Sequence, residues 1–240
     1  MKRAQKAYKN LTFLNSSAAR EIRILSELIE PRVRFKKYRV NKAIVFYGSA
    51  RIKDSRIKVD GPMSAYYEAA EQLAQRLVNW TTKTHSKGNQ YYICTGGGPG
   101  IMEAANKGAY EQNTNMSLGL NISLKYEQIP NAYISPHLNF EYHYFFTRKF
   151  WFFKLAKALV VFPGGFGTCD ELFELLTLVQ TDKVRHVPII LFGESFWRKL
   201  INFDYFAECG LIDKNDLKLF QFVETVDEAF DFLTGKLNHA

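Results

Sequence analysis

The chain predicts an α/β fold: a doubly wound, mostly parallel sheet forming a single domain behind a basic helical N-terminal arm. Three observations carry that expectation. Short β-branched runs alternate with helical periodicity after residue 42. Several of those runs close on glycine, as strands do where they turn into helices. Positive charge is gathered ahead of the first run and is absent, as a net quantity, from everything behind it.

Residues 1–42 hold 12 of the 32 Lys and Arg against 3 of the 24 acids, net +9, whereas the other 198 residues carry 20 bases against 21 acids, net −1. The basic character therefore belongs to an arm. Within it, Ser16 and Ser17 precede Ile22, Leu25, Leu28 and Ile29 at helical spacing, so one amphipathic helix is expected, ended by Pro31. Such a segment docks on the body or on a neighbouring subunit. Nothing in it has the residue types of a catalytic site, and nucleic acid is the disfavoured partner.

Strands are expected at residues 43–47, 91–94, 117–122, 158–162, 188–192 and 219–223, each apolar enough to be buried on both faces. The intervening periodicity places helices at 64–82, 100–111, 144–156, 169–181, 196–206 and 226–235. Strand and helix alternating in this way wind a parallel sheet with right-handed crossovers. The segment Leu124 to Phe140, with Pro130 and Pro136, reads as a long excursion of the kind that carries function. The arm at 1–42 and the body at 43–240 make up the chain.

With 240 residues, 47% hydrophobic and 23% charged, the chain has the composition of a folded domain rather than a disordered or fibrous one. Its most apolar window, Phe145 to Phe153, is broken by Arg148 and Lys149 and falls short of a membrane span. No apolar core follows the basic N-terminus, so a cytoplasmic protein is expected. Cys94, Cys169 and Cys209 lack metal-ligand spacing and fit reduced thiols. The five histidines share no ligand spacing either, and no metal is expected.

Three strand ends lead into loops suited to phosphate: Gly48-Ser49-Ala50-Arg51, Thr95-Gly96-Gly97-Gly98-Pro99-Gly100 and Pro163-Gly164-Gly165-Phe166-Gly167-Thr168. Glycine admits a ligand close to the backbone, and the following helix start offers free N–H groups and partial positive charge to an anion. Neither glycine-rich loop is GxxxxGK[ST] or GxGxxG, which disfavours a P-loop triphosphatase and a redox dinucleotide enzyme. Thr168 and Glu171 admit two readings. Thr-x-x-Glu is a capping box, in which Glu171 reaches back to the Thr168 N–H; alternatively Thr168 holds phosphate while Glu171 faces the adjoining sugar. A carboxylate so near an anion needs a cation beside it, and Arg148-Lys149, set among aromatic residues, is the candidate source.

Taken together, Phe46 to Arg51, Thr95 to Ala105, Arg148-Lys149 and the Pro163 to Glu171 element, PGGFGTCDE, resemble the Lonely Guy (LOG) family of cytokinin riboside 5'-monophosphate phosphoribohydrolases. The resemblance runs from Lys42 to Leu200. It implies a Rossmann-like, dimeric or larger, metal-independent enzyme without a cofactor, which hydrolyses a nucleoside 5'-monophosphate to free base and ribose 5-phosphate. Arg148 and Glu171 fall on the catalytic positions, and Gly164, Gly165, Gly167 and Thr168 on those that bind phosphate. Glu127 and Thr177 match further substrate contacts. Ser49, Gly97 and Gly98 complete the expected binding set, with Lys149 a supporting cation. The rival expectation is a non-catalytic carrier of a nucleotide or pterin cofactor on the same fold. The family also bears the label of possible lysine decarboxylase, a chemistry that needs a lysine Schiff base with pyridoxal phosphate, and no lysine here is placed convincingly for it.

Overall fold

The computed structural model describes residues 3–56, 61–124 and 129–238. Among these residues seven strands form one parallel sheet: β1 (Ala43–Tyr47), β2 (Tyr92–Thr95), β3 (Ser117–Ile122), β4 (Asn139–Tyr142), β5 (Ala156–Val161), β6 (Ile189–Phe192) and β7 (Gln221–Val223), in the order β4-β3-β2-β1-β5-β6-β7. The chain winds outward in one direction from β1 and in the other from β5. Adjacent strands whose connections leave in opposite directions open a crevice at their carboxyl ends, where ligands of such sheets bind.

The helices are α1 (Leu11–Leu14), α2 (Arg20–Tyr38), α3 (Ala65–Thr84), α4 (Ile101–Gln112), α5 (Phe145–Leu155), α6 (Phe166–Gln180), α7 (Glu194–Leu200), α8 (Phe203–Glu208) and α9 (Val226–Leu237). The central strands are apolar on both faces, and each face has its own core. One packs Val45, Leu159 and Leu191 with residues of α2, α5 and α6; the other packs Ile44, Val160 and Ile190 with residues of α3, α4 and α9. Burial of these aliphatic and aromatic side chains drives the layers together at about 25 cal/mol per Å2 of apolar surface.

Five expectations need correction. The helix of the arm does not stop at Pro31 but runs through it to Tyr38. Proline removes the N–H that would bond the carbonyl four residues back, and that carbonyl, of Glu27, instead accepts from Trp151 Nε1 at 2.9 Å. Its buried residues are Pro31 and Phe35, whereas Ile22, Leu25 and Ile29 of the expected apolar face are exposed. The excursion before residue 140 ends in β4, in which Phe140 and Tyr142 are buried while Asn139 and Glu141 are exposed. That half-buried alternation marks an edge strand, not the continuous apolar run sought in the sequence. The helix expected at 196–206 is two, α7 and α8, the second capped by the Asn202 side chain accepting from the Tyr205 N–H at 3.1 Å. Finally, α6 begins at Phe166, three residues early, which changes the reading of Thr168. The strand expected at 219–223 keeps only its last three residues, the preceding Lys214–Leu219 forming a 3-10 helix.

Candidate active site

The loops that follow β1, β2 and β5 meet at the crevice and are tied to one another through Ser49. Its N–H donates to the Pro163 carbonyl at 3.0 Å and its own carbonyl accepts from the Ile101 N–H at 3.1 Å. Gly100 must be glycine for this junction to form: its φ is +70°, and a Cβ there would stand 2.3 Å from the Ser49 carbonyl oxygen. Between the loops lies a cavity of about 800 Å3. Its floor includes Tyr47 and Gly96, its phosphate-suited wall is Gly164 to Thr168, and Phe145, Phe173 and Leu200 supply apolar walls. Ser49 and Arg51 stand at its margin from the first loop.

Gly165 precedes α6, and the Cys169 N–H donates to its carbonyl at 3.0 Å. The N–H groups of Phe166, Gly167 and Thr168 thus begin the helix with no partner in the turn before them, as helix starts do. Thr168 lies inside the first turn rather than at the cap, so the capping-box reading of Thr168 and Glu171 fails. Its side chain folds against Gly164, where a Cβ would lie 2.1 Å from the Thr168 hydroxyl, while Gly165 and Gly167 have open space beside them. This leaves a loop whose main chain is bare toward the cavity.

Glu171, in the second turn of α6, turns inward to Arg148 of α5. Arg148 Nη2 donates to Glu171 Oε1 at 3.0 Å. Arg148 is 8% exposed and lies between the rings of Phe145 and Phe152, 5.3 and 5.6 Å from their centroids. Arginine keeps its charge in such surroundings and stacks on aromatic faces. Burial pushes the Glu171 carboxyl up to about 7, against the pull of Arg148 and Lys149 toward ionisation, with Asp170 and Glu174 adding a smaller push upward. Desolvation disfavours the carboxylate more than the single hydrogen bond favours it, a balance typical of catalytic carboxyls.

The remaining expected residues are placed as follows. Lys149 pairs with Asp170 at 2.6 Å and Glu174 at 2.5 Å, holding α5 to α6. Thr177 lines a separate shallow depression with Phe173 and Glu174, its hydroxyl donating to the Phe173 carbonyl at 2.8 Å. Glu127 lies outside the described residues. Gly97 and Gly98 turn their carbonyls to Asn131, whose Nδ2 donates to them at 3.1 and 3.0 Å.

Asparagines do much that the sequence did not announce. Asn106 accepts from the Thr95 hydroxyl at 2.6 Å and from Asn131 at 2.9 Å, and it donates to Ser117 Oγ at 2.8 Å. A buried network satisfied in this way fixes the Thr95 to Gly98 loop. Asn121 lines the cavity while donating to Asn139 Oδ1 and the Phe140 carbonyl of β4. A buried asparagine in a strand or helix gives no local signal of such pairings. Tyr47, the last residue of β1, was likewise hidden among core aromatics.

A parallel sheet with a glycine-bare loop and a buried carboxyl at its switch point is an α/β architecture whose candidate site lies at the strand ends. A family model described as "Possible lysine decarboxylase" matches residues 102–233, and the chain belongs to that family, the LOG family. A probable cytokinin riboside 5'-monophosphate phosphoribohydrolase of Oryza sativa subsp. japonica, LOGL3, is 24% identical over 81% of this chain and 84% of its own length. A pyrimidine/purine nucleotide 5'-monophosphate nucleosidase of Escherichia coli K12 is 32% identical, over 42% of this chain and 24% of its own length. Among solved structures, the crystal structure of TM1055 superposes with a TM-score of 0.55 at 19% identity, covering 81% of this chain and 99% of that one. The molybdenum cofactor binding protein from the phototrophic bacterium Rippkaea orientalis gives 0.52 at 16%, covering 81% and 96%. These likenesses share the fold. No lysine among the described residues lines the cavity.

Proposed function

We propose that the protein is a nucleoside 5'-monophosphate phosphoribohydrolase, which cleaves the N-glycosidic bond to give a free base, adenine or a cytokinin-type base, and ribose 5-phosphate. The observation that carries this reading is the Arg148–Glu171 pair, buried in the same cavity as the Gly164 to Thr168 loop. The names of the rice and Escherichia coli relatives support it. In this reading Gly164, Gly165, Gly167 and Thr168 hold the 5'-phosphate through main-chain N–H groups at the start of α6. Ser49 and Arg51 close the phosphate end.

Anchoring the phosphate uses remote binding energy to fix the sugar against Glu171. Cleavage then passes through an oxocarbenium-like state at C1'. The ionised Glu171 stabilises the developing positive charge and takes a proton from the attacking water, whose oxygen bonds to C1' as the C1'–N electron pair leaves with the base. Arg148 balances the negative charge of the carboxylate and of the phosphate. A homo-oligomer belongs to the same proposal, because Ile22, Leu25, Ile29 and Val33 of α2 and Phe146 and Phe150 of α5 are exposed apolar residues.

The test is incubation of the purified protein with AMP and other nucleoside monophosphates, with chromatography of the free base and assay of ribose 5-phosphate. Base release that disappears in Glu171→Gln supports the enzyme. Tight nucleotide binding without product supports instead a carrier on this fold.

A further inference from the structure

Tyr47 ends β1 on the sheet face that carries α5 and α6, and it lines the cavity together with Arg148 and Glu171. Its ring is held edge-on against Phe152 at 5.2 Å and 82°. The residue is 2% exposed, and its hydroxyl has no hydrogen-bond partner among the described residues. A buried hydroxyl left unpaired is costly, and nearly all such groups in folded proteins are satisfied. Phenylalanine would fill the same space without that penalty. A tyrosine kept here therefore points to a partner that arrives with the ligand.

The position identifies the part of the ligand concerned. After burial itself, Glu171 is the group that most disfavours ionisation of the Tyr47 phenol, which stays an O–H donor. With the phosphate at the start of α6 and the glycosidic carbon at Glu171, the nearest sugar hydroxyl is the one on the carbon beside the reacting centre. Hydrogen bonds to that hydroxyl strengthen as a glycoside approaches its transition state.

We propose that the Tyr47 hydroxyl binds the 2'-hydroxyl of the substrate ribose and so selects ribonucleotides over 2'-deoxyribonucleotides. The inference rests on the nucleotide reading of the cavity. Tyr47→Phe keeps the ring and its contact with Phe152, which preserves the fold. Expected is a drop of about 10- to 100-fold in kcat/KM for AMP with less than about threefold change for 2'-deoxy-AMP. Equal losses on both substrates, as a residue that merely shapes the site would give, overturn the proposal; so does an unchanged AMP rate.

Calorimetric binding of ribose 5-phosphate and 2-deoxyribose 5-phosphate gives a readout independent of turnover. If the wild type cleaves nothing yet loses its preference for ribose 5-phosphate in Tyr47→Phe, the hydrolase reading fails and the sugar contact stands. Binding of neither sugar phosphate by the wild type overturns the sugar contact.

Discussion

Glu27 and Thr147 stand 120 residues apart in sequence, and the Glu27 carboxylate accepts the Thr147 hydroxyl at 2.5 Å. The same carboxylate accepts the backbone N–H groups of His143 at 2.8 Å and Tyr144 at 3.4 Å, at the entrance to α5. The arm thereby supplies the negative charge that a helix start favours, on the helix that carries Arg148. Replacing Glu27 by Ala is expected to destabilise the fold by on the order of 2 kcal/mol, since several charge-assisted bonds are lost together. Urea denaturation measures it, and a change below about 0.5 kcal/mol would show that the contact contributes little.

Loss of either member of the buried pair should abolish turnover rather than folding. Arg148→Ala and Glu171→Gln are each expected to lower kcat by at least about 10²-fold with an unchanged circular dichroism spectrum. A Glu171→Gln enzyme with near-normal turnover would remove the carboxylate from the mechanism.

The Glu171 carboxyl, lifted to about 7 by burial, sets two pH dependences. Because the proposed hydrolysis uses the ionised form, kcat/KM should rise with pH and level off above about 7; a flat profile from pH 5.5 to 8.5 contradicts this. Stability runs the other way. A group whose folded pKa exceeds its unfolded value contributes stability that is fully present below the unfolded value, near 4.5, and lost as pH rises through 7. Glu171→Gln, which cannot ionise, should therefore gain in Tm relative to wild type between pH 5 and pH 8. A Tm difference independent of pH would refute the assignment.

Two neighbouring glycines should behave differently when changed to alanine. At Gly164 the new methyl collides with the Thr168 Cβ and hydroxyl, so stability and binding both suffer. At Gly165 nothing lies within 4 Å of it. There the fold should hold, with Tm within about 2 °C of wild type, while KM for AMP rises at least about tenfold because the methyl occupies the phosphate's place. Equal Tm losses for the two variants would mean that the loop does not distinguish these positions.

Much of the site was legible because its signals are local. The Gly164 to Thr168 loop announces itself through consecutive residues, and β1 and β3 matched their expected bounds, β1 because its run is apolar throughout. Pro31 misled because the remedy for its missing N–H is Trp151, 120 positions away, and no local pattern records such a donor. Residue types alone also left Glu171 balanced between a cap and an acid; the earlier start of α6 removes the cap. Asn106, Asn121 and Asn131 were invisible for the same reason as Tyr47, since their meaning lies in partners brought near only by the closed sheet.

The strand order has a consequence for how such a chain can change over generations. The Arg148–Glu171 pair and the Gly164 to Thr168 loop are built next to the two innermost strands, while β4 and β7 sit at the margins. Lengthening the polypeptide beyond either border leaves the middle untouched, so descendants are free to acquire flanking segments without relearning their chemistry. The Escherichia coli relative, of which this chain matches only 24%, has the proportions that such growth produces.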